Sequence, residues 1–188
     1  MKTDDILTLK AVLLYILKHC PDFMRHSVYY IVKSAYIAQQ MHLVRYMCPI
    51  YYDTIKAFDL GPVPSDIYDM LKIVRGDSGT ANFHRNDNLA GMAQESVSFH
   101  NEAFIPNEEP DMDYLSPSAV ECLDDAIEQV SGMTFNEIIE ATHDREWERA
   151  HNTQSRIMNL ANIARDGGAN DASVGYLKGV LECDALSR

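Results

Sequence analysis

Between Arg25 and Arg45 the chain carries a single formally charged residue, Lys33. The segment from about His26 to Leu43 is apolar almost all round when wound as a helix. A helix with no face to give to water belongs at the buried centre of a bundle. Every other element must then be arranged around it. A first helix precedes it: Thr3 reads as the N-cap, and Asp4 and Asp5 sit where the dipole favours acids. Ile6, Leu9, Leu13, Ile16 and Leu17 recur at helical spacing, and Pro21 stops the helix.

The 188 residues suit one domain, or one domain with a small appendage. An apolar share of 46% and a charged share of 23% are those of an ordinary globular protein. No apolar run reaches the length of a membrane span. The start, Met1-Lys2-Thr3-Asp4-Asp5, is unlike a secretory leader, so residence in the cytoplasm is expected. Cys20, Cys48, Cys122 and Cys183 are widely spaced and read as reduced, with no metal role. The net charge of -12 is uneven: residues 1–75 carry +2 and the remainder carries -14. An acidic half repels phosphate backbones and argues against a nucleic-acid partner.

Pro49 ends the central helix region. Ile50-Tyr51-Tyr52 and Thr54 to Phe58 read as a small hairpin or one bent strand. Gly61-Pro62-Val63 then reads as a rigid strand-to-helix corner, because Gly permits unusual backbone and Pro extends the residue before it. Ser65 or Val63 caps a helix bearing Ile67, Met70, Leu71 and Val74. From Gly76 to Ser96 the composition predicts a long loop. Val97–Phe99 and Ala103–Ile105 suit a second short hairpin. Ser116-Pro117 starts a helix, with Val120, Leu123, Ile127 and Val130 inward and Gly132 at its end. Thr134-Phe135-Asn136-Glu137 is a capping box that opens a helix ending near Thr142-His143. Two further helices are expected near Thr153–Ala164 and Asp171–Leu181, separated by Gly167-Gly168. The fold class is therefore α+β, mainly α: a compact helical domain with one or two short antiparallel hairpins.

Few residues suggest chemistry. His19, His26 and His42 form no His-x-x-x-His pair, and no phosphate loop, nucleophile elbow or dinucleotide-binding glycine pattern occurs. His143 and Glu146 could meet as an i, i+3 pair, but a metal needs a further ligand from elsewhere. Local capping by His143 is the favoured reading, and neither an enzyme nor a cofactor is expected. Trp147, the only tryptophan, is a core plug or an interface anchor. Residues 160–182, with Ala164, Gly168 and Val174, have helix-turn-helix spacing and leave a DNA-binding regulator as the alternative function. The exposed candidates there, Asn170, Asp171, Ser173, Lys178 and Glu182, offer little positive charge, which favours a plain helical hairpin.

Tyr30-Ile31-Val32-Lys33-Ser34-Ala35-Tyr36, Ala57 through Val63, Tyr68, Leu115-Ser116, Thr142-His143 and Trp147 follow one another along the chain. In that order they resemble the Panacea domain, also called the SocA-like antitoxin domain. The resemblance covers about residues 5–165 of a single domain spanning 1–188, with 166–188 as a C-terminal helix. Ile31-Val32-Lys33-Ser34 stands where the family usually has a Leu-Gln-Lys-Leu-like core. The resemblance implies an antitoxin that binds and neutralises a cognate protein toxin encoded beside it, in some relatives phage- or prophage-borne. It also implies Lys33, Gly61, Pro62, Val63, Tyr68, Thr142, His143 and Trp147 as family-motif or partner-binding residues. The toxin's identity and the oligomeric state, including a homo-oligomer, stay open.

Overall fold

The helix around Lys33 runs over Val28–Tyr46 (α3) and has neighbours on all sides. Ile31, Val32, Ala35, Tyr36, Ile37, Ala38 and Leu43 are buried along it. Each large apolar side chain so buried is worth roughly 1.5–3 kcal/mol. That gain is what places this helix, and not an amphipathic one, at the centre. The structure is a computed structural model and describes residues 3–77 and 87–187.

Around α3 lie α1 (Thr3–His19), the one-turn α2 (Asp22–Arg25), α4 (Ser65–Arg75), α6 (Pro117–Ser131) and α9 (Leu160–Asp166). The other described helices are α5 (Asp87–Ser96), α7 (Phe135–Thr142), α8 (Arg145–His151) and α10 (Asp171–Ser187). Two antiparallel pairs complete the chain, β1 (Ile55–Phe58) with β2 (Gly61–Pro64) and β3 (Val97–His100) with β4 (Ala103–Pro106). The α+β, mainly α expectation with two short hairpins is met. No described helix is long and apolar enough to cross a membrane.

Polar side chains lock the centre to its surroundings. The Gln39 amide donates to the Tyr51 carbonyl at 2.8 Å and accepts from the Ile50 amide at 2.8 Å. Tyr51, fully buried, donates its hydroxyl to the Ala35 carbonyl at 2.9 Å. His42 bridges the Cys48 carbonyl and the Ser118 hydroxyl of α6. Buried polar groups satisfied in this way specify one arrangement of helices. The outward acids of α6 are partly engaged, Asp124 by the Tyr15 hydroxyl and Asp125 by Arg45.

Several helix ends follow the sequence rules. Ser116 accepts from the Ala119 amide with Pro117 at the first position, and Thr134 and Glu137 form the reciprocal capping box. In the second hairpin Asn101 and Glu102 both take positive φ, 50° and 62°, as a two-residue turn of matching twist requires. All four cysteines are free thiols.

Other expectations are corrected. Gly61-Pro62-Val63 is not a strand-to-helix corner but strand β2 itself, paired with β1 across Asp59-Leu60. Ile50-Tyr51-Tyr52 is not in a strand. Two prolines fit β2 because a two-stranded sheet leaves an edge where their missing N–H groups are not needed. Neither Ser65 nor Val63 caps α4. The carboxylate of Asp53, from before β1, accepts from the Asp66 amide at 2.9 and 3.0 Å and from the Ile67 amide at 3.3 Å. Part of the expected Gly76–Ser96 loop is helix α5, while residues 78–86 lie outside the described ones. Helix α8 went unanticipated, capped by Asp144 accepting from the Trp147 amide.

The expected helix from Thr153 begins only at Leu160. Its first half instead runs along the free edge of β1, where the Ala57 amide donates to the Arg156 carbonyl and the Met158 amide to the Ile55 carbonyl. A strand edge with open donors and acceptors takes such a segment whatever its intrinsic preference.

Candidate functional site

The eight motif residues converge on the β1–β2 hairpin. Lys33 projects from the middle of α3 and is fully buried. Its ammonium donates to the Pro62 carbonyl at 3.0 Å and lies 5.4 Å from the centroid of the Tyr29 ring. No carboxylate among the described residues forms an ion pair with it. Burial without a counter-charge disfavours the charged form and pulls the Lys33 ammonium from its ordinary 10.5 down to about 7.

Gly61 makes that placement possible. Its φ is +100°, and a Cβ there would stand 2.4 Å from the Lys33 Nζ, 2.9 Å from the Thr142 Oγ1 and 3.3 Å from the His143 Cδ2. The backbone of β2 thus lies directly against the lysine and the C-terminal end of α7. Thr142, buried, returns its hydroxyl to the Ile138 carbonyl at 2.8 Å. His143 ends α7 and stacks on Trp147 with centroids 3.6 Å apart and planes 8° from parallel. Trp147 is held in turn by its indole N–H, which donates to the Phe58 carbonyl at 2.9 Å. Burial lowers the His143 imidazole, and the nearby Lys33 charge lowers it further.

Pro62 supplies the acceptor for Lys33, while Val63 and Tyr68 line an adjoining pocket of about 450 Å³. Its walls are Val28, Tyr29, Val32 and Lys33 from α3, Phe58, Asp59 and Leu60 from the hairpin, Tyr68 and Arg75 from α4, and Arg156. Asp59 is shared between Arg156 at 2.8 Å and His151 at 3.0 Å, and these partners hold its carboxyl below the usual range. The lining is therefore largely apolar, and both of its arginines are paired, Arg156 with Asp59 and Arg75 with Asp77.

Lys33, Gly61, Pro62, Thr142, His143 and Trp147 thus form one continuous set of contacts, with Val63 and Tyr68 beside it in the pocket. Sequence reading missed Tyr29, Leu60, Arg75 and Arg156. Leu60 had a signal, an apolar residue at a turn. Arg156 had none, because it arrives through the segment that pairs with β1.

Glu146 does not join His143. It is buried, receives Arg149 at 2.6 and 2.7 Å, and accepts from the Asn159 amide at 2.6 Å and the Asn162 side chain at 2.9 Å. Burial by itself would raise this carboxyl, but Arg149 and the Asn159 and Asn162 donors hold it below its ordinary 4.5. Its role is to pin α8 to the start of α9. A depressed folded-state pKa contributes stability that is present above about pH 4.5 and lost as the pH falls through the folded value. Glu146→Ala is expected to cost about 2 kcal/mol at pH 7 in a urea titration, and Glu146→Gln about half of that. Among the described residues, no three His, Cys, Asp or Glu side chains gather as metal ligands would.

The α9–α10 hairpin packs inward through Ala161, Ile163, Ala164, Val174 and Leu177. At its turn Gly167 lies against α3, where a Cβ would meet Val44 Cγ2 at 2.8 Å. Helix α10 carries Lys178 against Asp171, Glu182 and Asp184, a poor complement to a phosphate backbone.

A search of curated proteins and a search of solved structures each found no match. The family model described as "Antitoxin SocA-like, Panacea domain" matches residues 31–148. That span runs from the start of the buried part of α3 to α8, and it contains Lys33, the β1–β2 hairpin, Tyr68, Thr142, His143 and Trp147. With more than half of its length matched, the chain belongs to the SocA-like antitoxin family of Panacea-domain proteins.

Proposed function

We propose that this chain is a non-enzymatic antitoxin that acts in the cytoplasm and neutralises a cognate protein toxin, encoded beside it, by direct contact. A phage or prophage setting accords with this reading. The family match over residues 31–148 carries it. The surface around the pocket supports it further. Leu60 is 51% exposed at the hairpin tip, and Phe135 is 42% exposed and packs its ring 4.6 Å from that of Tyr29. Tyr29 continues through Tyr30 to the exposed Phe23, so an aromatic strip borders the pocket. Apolar and aromatic side chains grouped on a surface mark a protein-binding face.

In this reading Lys33, Gly61 and Trp147 act in support, holding the hairpin through the Pro62 and Phe58 carbonyls and the close approach at Gly61. Coexpression with the neighbouring open reading frame tests the proposal. Expression of the neighbour alone should arrest growth, and this chain should restore growth and co-purify with it. A harmless neighbour, or a toxic one that this chain neither rescues nor binds, would sink the antitoxin reading.

A further inference from the structure

The arginines that border the aromatic strip and its pocket are all paired: Arg25 with Asp22, Arg75 with Asp77 and Arg156 with Asp59. The acids beside the strip are not. From Asn101 to Thr142 the sequence has eleven Asp or Glu and no Lys, Arg or His, so any counter-charge must come from other elements. Lysines of α1 reach Glu108 and Glu109, and Arg45 of α3 reaches Glu121 and Asp125. None reaches Glu128, in the last turn of α6, or Glu137 and Glu140 of α7, which are exposed and form no ion pair among the described residues. Phe135, whose ring packs on Tyr29, lies between them in the chain. Glu137 accepts the Thr134 amide and hydroxyl, and these donors hold its carboxyl below the ordinary range, which keeps it charged. Lys56 of the hairpin and Arg145 of α8 are the cations near this face without an ion pair, and exposed Glu148 follows Arg145 by one turn. The surplus around the strip is therefore acidic, on a chain that carries -12. The hairpin, meanwhile, offers a partner no ladder. The outer edge of β1 is taken by the Arg156 carbonyl and the Met158 amide, and β2 contains Pro62 and Pro64. A partner here binds through side chains and not by adding a strand.

Resting on the antitoxin reading, we propose that the pocket and strip receive a basic amphipathic helix of the toxin. The apolar side of that helix sets an aliphatic or aromatic anchor against Val32, Phe58, Val63 and Tyr68, beside the exposed Leu60, and continues over Tyr29 and Phe135. Lys or Arg residues flanking the anchor face Glu128, Glu137 and Glu140. The anchor contributes affinity by leaving water, while the flanking charges speed encounter and set orientation. An acidic segment is turned away by the same carboxylates and finds the bordering arginines already engaged. A second copy of the chain is disfavoured too, because a two-fold interface would set this acidic patch against itself.

The test uses the full chain and the purified product of the adjacent toxin gene, with association and dissociation rates followed at low and high salt. Three variants are compared with the parent: Leu60→Ser, Phe135→Ser and the surface pair Glu128→Lys with Glu140→Lys. Each apolar variant should weaken binding about tenfold or more, chiefly through faster dissociation. The lysine pair should slow association about tenfold or more and flatten its dependence on salt. One Lys or Arg of the toxin helix, changed to Glu, should weaken binding to the parent and recover part of the loss in the lysine pair. All four side chains are exposed, and thermal melts of each variant separate lost binding from lost folding.

Both arms must hold. If the parent binds the toxin but the two apolar variants bind within about twofold of it, or the lysine pair leaves rate and salt dependence unchanged, the basic-helix proposal is overturned while the antitoxin reading stands. Tighter binding by the lysine pair would overturn it as well, by assigning the face to an acidic segment. Self-association of the chain that Leu60→Ser abolishes would do the same, by assigning it to a second copy. Failure of the parent itself to bind removes the antitoxin reading, and this proposal with it.

Discussion

Lys33→Met is expected to make the protein more stable at pH 7, by about 2–3 kcal/mol, and to flatten its stability between pH 7 and 10. Methionine has nearly the length and volume of the lysine stem and needs no solvation. In the parent, burial draws the folded-state value from 10.5 to about 7. Below pH 7 both folded and unfolded chains bind the proton, and the full cost of burying the charge is present. As the pH rises from about 7 to 10.5 the folded chain releases the proton while the unfolded chain keeps it. Parent stability therefore climbs across that window, and above it the cost is gone. The shift alone corresponds to about 4–5 kcal/mol, from which the loss of the bond to the Pro62 carbonyl takes about 1 kcal/mol, and relaxation around a buried charge takes more. Urea unfolding of both proteins at pH 6, 7.5, 9 and 10 checks the sign. A parent curve with no climb, or a methionine variant less stable at every pH, would show that Lys33 is compensated within the folded chain.

Gly61→Ala should destabilise by about 3 kcal/mol, more than an exposed turn substitution does. Two causes add. A φ of +100° is strained for any residue with a Cβ, at about 1–2 kcal/mol. The new methyl would also meet the Lys33 Nζ at 2.4 Å and the Thr142 Oγ1 at 2.9 Å, and only the lysine end can give way. If the lysine retreats, it abandons the Pro62 carbonyl. A double variant with Lys33→Ala separates the causes: space returns, the backbone strain stays, and the cost of the alanine at position 61 should fall by about half. Equal cost in both backgrounds would mean that the contact with Lys33 contributes nothing. Chemical denaturation followed by circular dichroism reads both variants.

Both predictions concern a contact that pairs a central helix residue with a strand far along the chain. Much around it was legible in sequence. The lone charge between Arg25 and Arg45 announced a buried helix, because a stretch without polar faces has nowhere else to go. Ser116-Pro117, Thr134 with Glu137, and Gly132 announced helix ends, since caps act through residues at most a few positions away. Local rules failed where the partner was distant. Asp53 caps α4 from before the hairpin, a dozen residues beyond the reach of any local rule applied at Ser65 or Val63. Helix α5 hid in a stretch poor in strong periodicity, and its packing on α4 and α1 supplies what propensity does not.

The hairpin illustrates the division most clearly. Ile55 to Phe58 looked like a strand because it is β-branched and aromatic, and that reading survives. Gly61-Pro62-Val63 looked like a corner because glycine and proline usually end elements. In the fold they are the partner strand, admissible because β2 needs few of the N–H bonds that proline lacks. Arg145–His151 was obscured in a similar way, as seven residues are too few to show a helical period.

From its residues alone, then, this protein was bound to be a mainly helical molecule built around one buried helix, with an acidic second half and a set of motif residues in a recognisable order. Those properties depend on composition, on spacing within a few turns, and on caps that close locally. Tertiary structure alone decided that the motif residues meet: that glycine 61 is needed to clear a lysine 28 positions earlier in the chain, that Trp147 hangs from the hairpin, and that Arg75 and Arg156 face a common pocket. Such contacts arise when distant segments satisfy one another's buried charges and open backbone groups, and no local pattern in the chain encodes which segment will do so.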